Sequence, residues 1–221
     1  MSITRASIPI SRDPVMSITR RLPIALALVA ALGGCANARP EPIVPDGIAY
    51  VSRAEWGARD PVLPMRAHRI RRLTIHHTAV RQVPTRSTAE KLRGLQQFSQ
   101  REDTLGNGRP KRAWADVPYH LYVASDGSVA EGRSWRFVGD SNTPYDPTGH
   151  LQLVVEGNFE EEPLSDAQRR TLERLVPALV RRFRIPPEGV GMHSDHAETL
   201  CPGKALAAEV PRLRELAAGA R

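Results

Sequence analysis

The sequence predicts a mixed α/β fold in a single domain. Its 221 residues are 41% hydrophobic, which suits one apolar core rather than two. Short apolar runs typical of strands are interspersed with longer amphipathic stretches typical of helices. Because the two types do not alternate strictly, their periodicity supports a mixed α/β layer arrangement and not a regular series of βαβ units.

The first 34 residues are predicted to be a lipoprotein signal peptide and not part of the fold. Two arginines precede an apolar run over residues 22–32, which is too short to span a bilayer comfortably. The run leads into LGGC at residues 32–35, which resembles the bacterial lipobox. Cys35 is therefore the predicted lipidation site. An ordinary signal peptide with a chance cysteine is the alternative.

A proline-rich tether is predicted over residues 35–47, because this stretch has prolines at positions 40, 42 and 45 and few large apolar residues. The folded domain is accordingly predicted over residues 48–221. Ala36, rather than an aspartate, follows the lipidated cysteine. By resemblance to bacterial lipoproteins, this favours an outer membrane lipoprotein that faces the periplasm.

The first predicted strand ends in a pair of histidines. The apolar-rich run over residues 72–75 reads as a buried strand with His76 at its carboxyl end. Ligands of open sheets collect at such strand ends, so His76 is a candidate ligand. His77 is expected to point to the opposite face of the sheet, because side chains alternate along a strand.

A helix, a loop and a hairpin are predicted next. The string STAE at residues 87–90 is a capping box, and the apolar residues after it recur on one face, so the helix runs to about residue 101. Residues 103–114 are polar and contain two glycines, which indicates a loop. An Asp-Gly pair at residues 126–127 predicts a hairpin between strands over 119–124 and 128–131, because the turn requires positive φ angles.

The last third of the domain is predicted to hold one strand and two helices. Apolar residues alternate over residues 151–156, as in a strand. A second capping box at residues 165–168 opens a helix that ends before Pro186. Pro177 lies inside this helix and should kink it, at a cost of about 3 kcal/mol unless packing compensates. A final helix is predicted over residues 206–216, with a bend or break at its proline.

Side chains suited to zinc are concentrated in the loop over residues 193–203. It offers His193, His196 and Cys201, and imidazole and thiolate are ligands that zinc prefers. The interval between His193 and Cys201 is too long for one helical face, so the loop must fold back on itself. With His76, either histidine and the cysteine give three ligands, and an open fourth position makes such a site catalytic.

Five strings occur in an order that resembles the zinc amidases of the peptidoglycan recognition protein and phage T7 lysozyme type. The resemblance extends from about residue 51 to residue 203 and thus over nearly the whole predicted domain. The strings are SRAEWGAR (52–59), TIHHTA (74–79), YHLYVASDGSVAEGR (119–133), EGNF (156–159) and HSDHAETLCPG (193–203).

The resemblance implies a central mixed β-sheet flanked by helices, with zinc in a surface groove. It implies that His76, His193 and Cys201 are the zinc ligands and that Tyr119 and Thr199 are catalytic residues that donate to the oxyanion. The implied reaction uses zinc-activated water to hydrolyse the amide between N-acetylmuramic acid and L-alanine of the stem peptide. The proton acceptor stays unassigned, because Glu156 could equally be a charge at a strand end.

The implied partners are peptidoglycan or muropeptide fragments and, through Cys35, a membrane, with the chain acting as a monomer. Nucleic acid is not expected as a partner, since the arginines are scattered and not gathered in a stripe with interleaved aromatics. The alternative function is a catalytically inactive peptidoglycan-binding module. Inactive members of the family commonly lack the cysteine ligand, so the presence of Cys201 favours the enzyme.

Overall fold

The computed structural model describes residues 43–219 and confirms a mixed α/β fold with a central mixed sheet flanked by helices. The predicted signal peptide, Cys35 and most of the predicted tether lie outside the described residues. Within residues 43–219, no helix combines the length and the apolar character needed to cross a membrane.

The described part of the chain holds eight strands and five α-helices. The strands are β1 Tyr50–Val51, β2 Arg72–His77, β3 Asp103–Thr104, β4 Pro110–Lys111, β5 Leu121–Val123, β6 Val129–Glu131, β7 His150–Val155 and β8 Val190–Met192. The helices are α1 Arg53–Trp56, α2 Thr88–Ser99, α3 Asp166–Phe183, α4 Lys204–Ala207 and α5 Val210–Gly219. Two short 3-10 turns follow α3 and β8, over Pro187–Gly189 and His193–Asp195.

Six of the strands form one sheet in the order β1-β6-β5-β7-β2-β8. β2 lies between β7 and β8 and is parallel to both, with His76 opposite Val154 and Ile75 opposite Met192. β5 and β6 form the predicted antiparallel hairpin, which makes the sheet mixed. The carboxyl ends of β2, β7 and β8 therefore meet at one edge of the sheet, next to the loops that follow them.

The helices begin where the capping boxes predict. Ser87 and Ser165 each accept a hydrogen bond from the third helical residue, whose side chain reaches back to the cap amide. α3 continues from Asp166 to Phe183 across Pro177, and the proline is buried with the apolar face of the helix. The predicted final helix is divided into α4 and α5, and its proline is the second residue of α5.

Two segments differ from the sequence-based expectation. The predicted loop over 103–114 contains the small hairpin β3–β4. Lys111 in β4 is buried, and its Nζ donates to three backbone carbonyls, those of Ser99, Arg101 and Arg112. Packing also begins upstream of the predicted boundary at residue 48. Val44 lies among the prolines of the predicted tether, and its apolar side chain is buried in the main core.

Candidate metal centre

His76 ends a strand that is buried on both faces. Every residue of β2 after Arg72 is buried, because helices cover both sides of the sheet, and only 2% of the His76 surface is exposed. Its ring lies 4.6 Å from the ring of His193, measured between centroids. As predicted, His77 does not join this pair, and its Nδ1 accepts instead from the backbone amide of Phe159.

The loop after β8 folds back and brings Cys201 beside the end of β2. The amide of Ser194 donates to the carbonyl of Cys201 across a 3.0 Å hydrogen bond, which closes the loop at its base. The amide of His77 donates to Cys201 Sγ at 3.4 Å. Gly203, with φ of 86°, then lets the backbone pass so close to Phe159 that a Cβ atom would collide with it.

His76, His193 and Cys201 form a donor set that fits a metal ion. Their ligand atoms all lie within 4.8 Å of one another. Nδ1 of His76 is 3.7 Å from Cys201 Sγ, and a tetrahedral zinc with ordinary Zn–N and Zn–S bonds would separate those atoms by about 3.6 Å. Nε2 of His76 is buried and has no hydrogen-bond partner among the described residues. The ring therefore makes no strong hydrogen bond that a cation would have to displace.

The surroundings keep both imidazoles neutral. Burial lowers the pKa of His76 well below its usual range, and the neighbouring histidines lower it further. Burial also lowers the pKa of His193 to about 4, with a contribution from His196. Burial raises the pKa of the Cys201 thiol to about 12, which the amide of His77 opposes only in part. The imidazole lone pairs are thus available at neutral pH, whereas the thiol keeps its proton until a cation replaces it.

His196, the other histidine of the loop, lies outside the donor set. Its ring packs against His150 at 4.7 Å and stacks on Tyr145 at 5.8 Å, both between centroids. The structure thus brings His193, and not His196, to His76 and Cys201. This is the choice that the family resemblance implied and that spacing alone left open.

Tyr119 lies beside the donor set and Thr199 lies within its loop. The ring of Tyr119 is 5.2 Å from that of His76. The backbone of Gly132 lies close to that of Tyr119, and only glycine allows this approach, because a Cβ atom at residue 132 would collide with the carbonyl oxygen of Tyr119. The hydroxyl of Thr199 accepts from the amide of Cys201 at 3.2 Å. Both residues are therefore adjacent to the ligands, and their catalytic roles stay predictions.

Glu156 is bound in a buried ion pair. Lys91 Nζ lies 2.8 Å from one carboxylate oxygen, and the two side chains are 9% and 4% exposed. The amides of Val83 and Ser125 donate to the two oxygens at 3.1 and 2.8 Å. With both oxygens engaged, this carboxylate holds the segment between β2 and α2 in place, and the proton acceptor of the reaction stays unassigned.

Replacing Lys91 by methionine is expected to lower the free energy of unfolding by about 3 kcal/mol, because it leaves the buried charge of Glu156 without its cationic partner. The measurement is denaturant unfolding followed by circular dichroism. Arg81→Met is the matched control, since its pair with Glu161 is exposed at 69% and 51%; this change is expected to cost less than about 1 kcal/mol. Equal effects of the two substitutions would contradict the buried-pair interpretation.

Sequence reasoning missed the residues that hold His193 in place. Thr143 Oγ1 lies 2.7 Å from Nε2 of His193, and Ser141 Oγ lies 3.4 Å from the same nitrogen. The ring of Tyr145 packs 5.2 Å from that of His193. All three belong to the irregular segment between β6 and β7, where no periodic pattern or motif marks a functional residue.

The chain is similar to a known protein family and to several known proteins. A family model of N-acetylmuramoyl-L-alanine amidases, Amidase_2, matches residues 66–204. Peptidoglycan-recognition protein SC2 of Drosophila simulans is 29% identical over 160 residues, which cover 71% of this chain and 82% of the relative. Human N-acetylmuramoyl-L-alanine amidase is 32% identical over 140 residues, which cover 61% of this chain and 22% of that protein.

A solved structure shares the fold. A mutant of Drosophila PGRP-LB in complex with tracheal cytotoxin is similar with a TM-score of 0.59 and 25% sequence identity, over 73% of this chain and 92% of that one. The family match covers more than half of the chain and includes the strand of His76 and the loop of Cys201. The chain therefore belongs to the N-acetylmuramoyl-L-alanine amidase family Amidase_2.

Proposed function

We propose that this protein is a zinc-dependent peptidoglycan amidase that hydrolyses the amide between N-acetylmuramic acid and L-alanine of the stem peptide. The observation that carries the proposal is the buried set of His76, His193 and Cys201, with ligand atoms within 4.8 Å of one another, in a chain of this family. One relative of this chain is named for peptidoglycan recognition, and its name states no catalytic activity. The complete donor set favours the enzyme.

Zinc is the metal that the donors favour. Two imidazoles and one thiolate match its preference, whereas magnesium and calcium require oxygen ligands. Three protein ligands also leave a fourth position for water or substrate, as in catalytic zinc sites. When bound, the ion would polarise the amide carbonyl and lower the pKa of water.

Tyr119 is proposed to stabilise the negative charge that develops on the amide oxygen. Burial raises the pKa of its phenol above the ordinary value, so the hydroxyl keeps its proton at neutral pH and can donate a hydrogen bond to the oxyanion. Thr199 is proposed as a second donor. Its hydroxyl already accepts from the amide of Cys201, which leaves its own proton free to point elsewhere.

The proposed substrate is peptidoglycan or a muropeptide released from it. Support comes from the PGRP-LB relative solved with tracheal cytotoxin, which is described for another family member as monomeric diaminopimelic acid-type peptidoglycan. The experiment is mass spectrometry of a defined muropeptide after incubation with the purified, zinc-loaded protein. The expected products are free stem peptide and peptide-free sugar. A zinc-loaded protein that binds the muropeptide but releases no peptide would instead be a binding module.

The protein is further proposed to be an outer membrane lipoprotein anchored through Cys35, a residue outside the described part of the chain. The apolar run and the LGGC string at residues 32–35 support this proposal. In a Gram-negative host, the full chain is expected to incorporate labelled palmitate and to fractionate with outer membranes. Cys35→Ser should abolish the labelling. Recovery of the unsubstituted protein only in the soluble periplasmic fraction would contradict the anchor.

A further inference from the structure

The ring of His193 is held by side chains of the irregular segment between β6 and β7, none of which belongs to the donor set. Its Nε2 lies 2.7 Å from Thr143 Oγ1, a distance typical of a strong hydrogen bond. The ring of His193 also packs against the rings of Tyr145 and His76, with centroid distances of 5.2 and 4.6 Å. One ring nitrogen is therefore engaged by the protein, and Nδ1 is the nitrogen left for a metal.

The hydroxyl of Thr143 is itself fixed. Thr143 Oγ1 lies 2.7 Å from Ser141 Oγ, and the amide of Thr143 donates to that same Ser141 oxygen at 3.1 Å. Upstream, the buried guanidinium of Arg133 forms an ion pair with Asp140 and donates to the carbonyls of Val117 and Asp116 at 2.9 and 3.0 Å. The segment that presents Thr143 is thus tied to the body of the domain.

We infer that Thr143 is a positioning residue that orients His193 and fixes its tautomer, so that Nδ1 faces His76 and Cys201. With a metal on Nδ1, the Nε2–H group of His193 would donate a hydrogen bond to Thr143 Oγ1. The Thr143 hydroxyl would in turn donate a hydrogen bond to Ser141 Oγ. Such partners of ligating histidines set the ring orientation and the ligand basicity. The inference rests on the zinc centre of the proposed function.

The test measures zinc affinity of the full chain by competition with a chelator, with zinc as the only probe. Thr143→Val removes the hydroxyl at nearly constant volume and is expected to weaken the zinc Kd by about 10- to 100-fold. Thr143→Ser keeps the hydroxyl and should restore the Kd to within about threefold of the wild-type value. Thr148→Val is the matched control, because Thr148 is in the same segment but its hydroxyl donates to Asp146. Its Kd is expected to be unchanged.

A second readout is independent of affinity. Nitrogen-15 NMR of the zinc-loaded protein is expected to show His193 with the metal on Nδ1 and a proton on Nε2. Should Thr143→Val not fold, Thr143→Ala and the NMR tautomer still decide the question. An unchanged Kd in Thr143→Val, or a metal on Nε2 of His193, would overturn the inference.

The outcomes also separate this inference from the proposed function. Suppose that the wild-type chain binds zinc and Thr143→Val weakens this binding as expected, but the wild-type chain does not cleave muropeptides. The amidase proposal would then be wrong and the inference on Thr143 would stand. If the wild-type chain cleaves muropeptides and Thr143→Val leaves the zinc Kd unchanged, the amidase proposal would stand and the inference on Thr143 would be wrong. A wild-type chain that binds no zinc would overturn both.

Discussion

Replacing Cys201 by alanine is expected to abolish zinc binding and muropeptide cleavage together. The thiol is one of only three donors in the set, and it lies 3.7 Å from Nδ1 of His76. Loss of the metal removes several kcal/mol of transition-state stabilisation, so turnover should fall by about 10³-fold or more. The measurement is zinc content by elemental analysis together with stem-peptide release, on the same samples.

The two loop histidines provide the matched comparison for this prediction. His193→Ala should behave like Cys201→Ala, whereas His196→Ala should keep about one zinc per chain, because its ring packs on His150 and Tyr145 and not on the donor set. The opposite pattern, with zinc lost only from His196→Ala, would show that the donor set is wrongly assigned.

Replacing Tyr119 by phenylalanine is expected to reduce turnover while zinc content stays unchanged. The substitution removes one hydroxyl and leaves the ring packing against His76 in place. If that hydroxyl donates to the oxyanion, kcat and kcat/KM should fall together by about 10²- to 10³-fold. Steady-state kinetics on a defined muropeptide measure the effect. A variant with unchanged kcat would rule out this role for Tyr119, although the metal centre would stand.

The elements most accessible to prediction were those with strong local signals. The capping boxes at Ser87 and Ser165 and the Asp-Gly turn specify backbone geometry within a few residues, and the structure confirms all three. The hairpin β3–β4 was missed because its strands are only two residues long, too short to show a periodic pattern. Lys111 in the second of them is buried, and its ammonium contacts the rings of Phe98 and Trp114 as well as backbone carbonyls.

In the candidate site too, the residues that belong to motifs were predicted and their long-range partners were not. His76, His193 and Cys201 belong to strings with a recognisable order, and the structure brings them together. The partners of Glu156 could not be predicted, because Lys91 lies 65 residues away and neither residue is part of a motif. Thr143 lies 50 residues from His193, in a segment with no periodicity. Contacts of this kind depend on sheet register and loop path, which the sequence pattern does not specify.

The place of β8 at the edge of the sheet has a thermodynamic consequence. His76 and Cys201 are 125 residues apart, and His193 follows the outermost strand, which pairs within this sheet only with β2. The unfolded chain keeps His193 and Cys201 close in sequence but leaves His76 far from both, so its ligand set is incomplete and a cation binds the native state more tightly. At a free concentration 1,000-fold above Kd, binding to the native state alone would stabilise a protein by about 4.1 kcal/mol, and binding of the cation to the unfolded chain reduces this gain. Because the ligands come from the interior strand β2 and from the loop after the edge strand β8, a bound metal would link these two parts of the sheet, and its removal would lower the stability of the native domain as well as remove the ion.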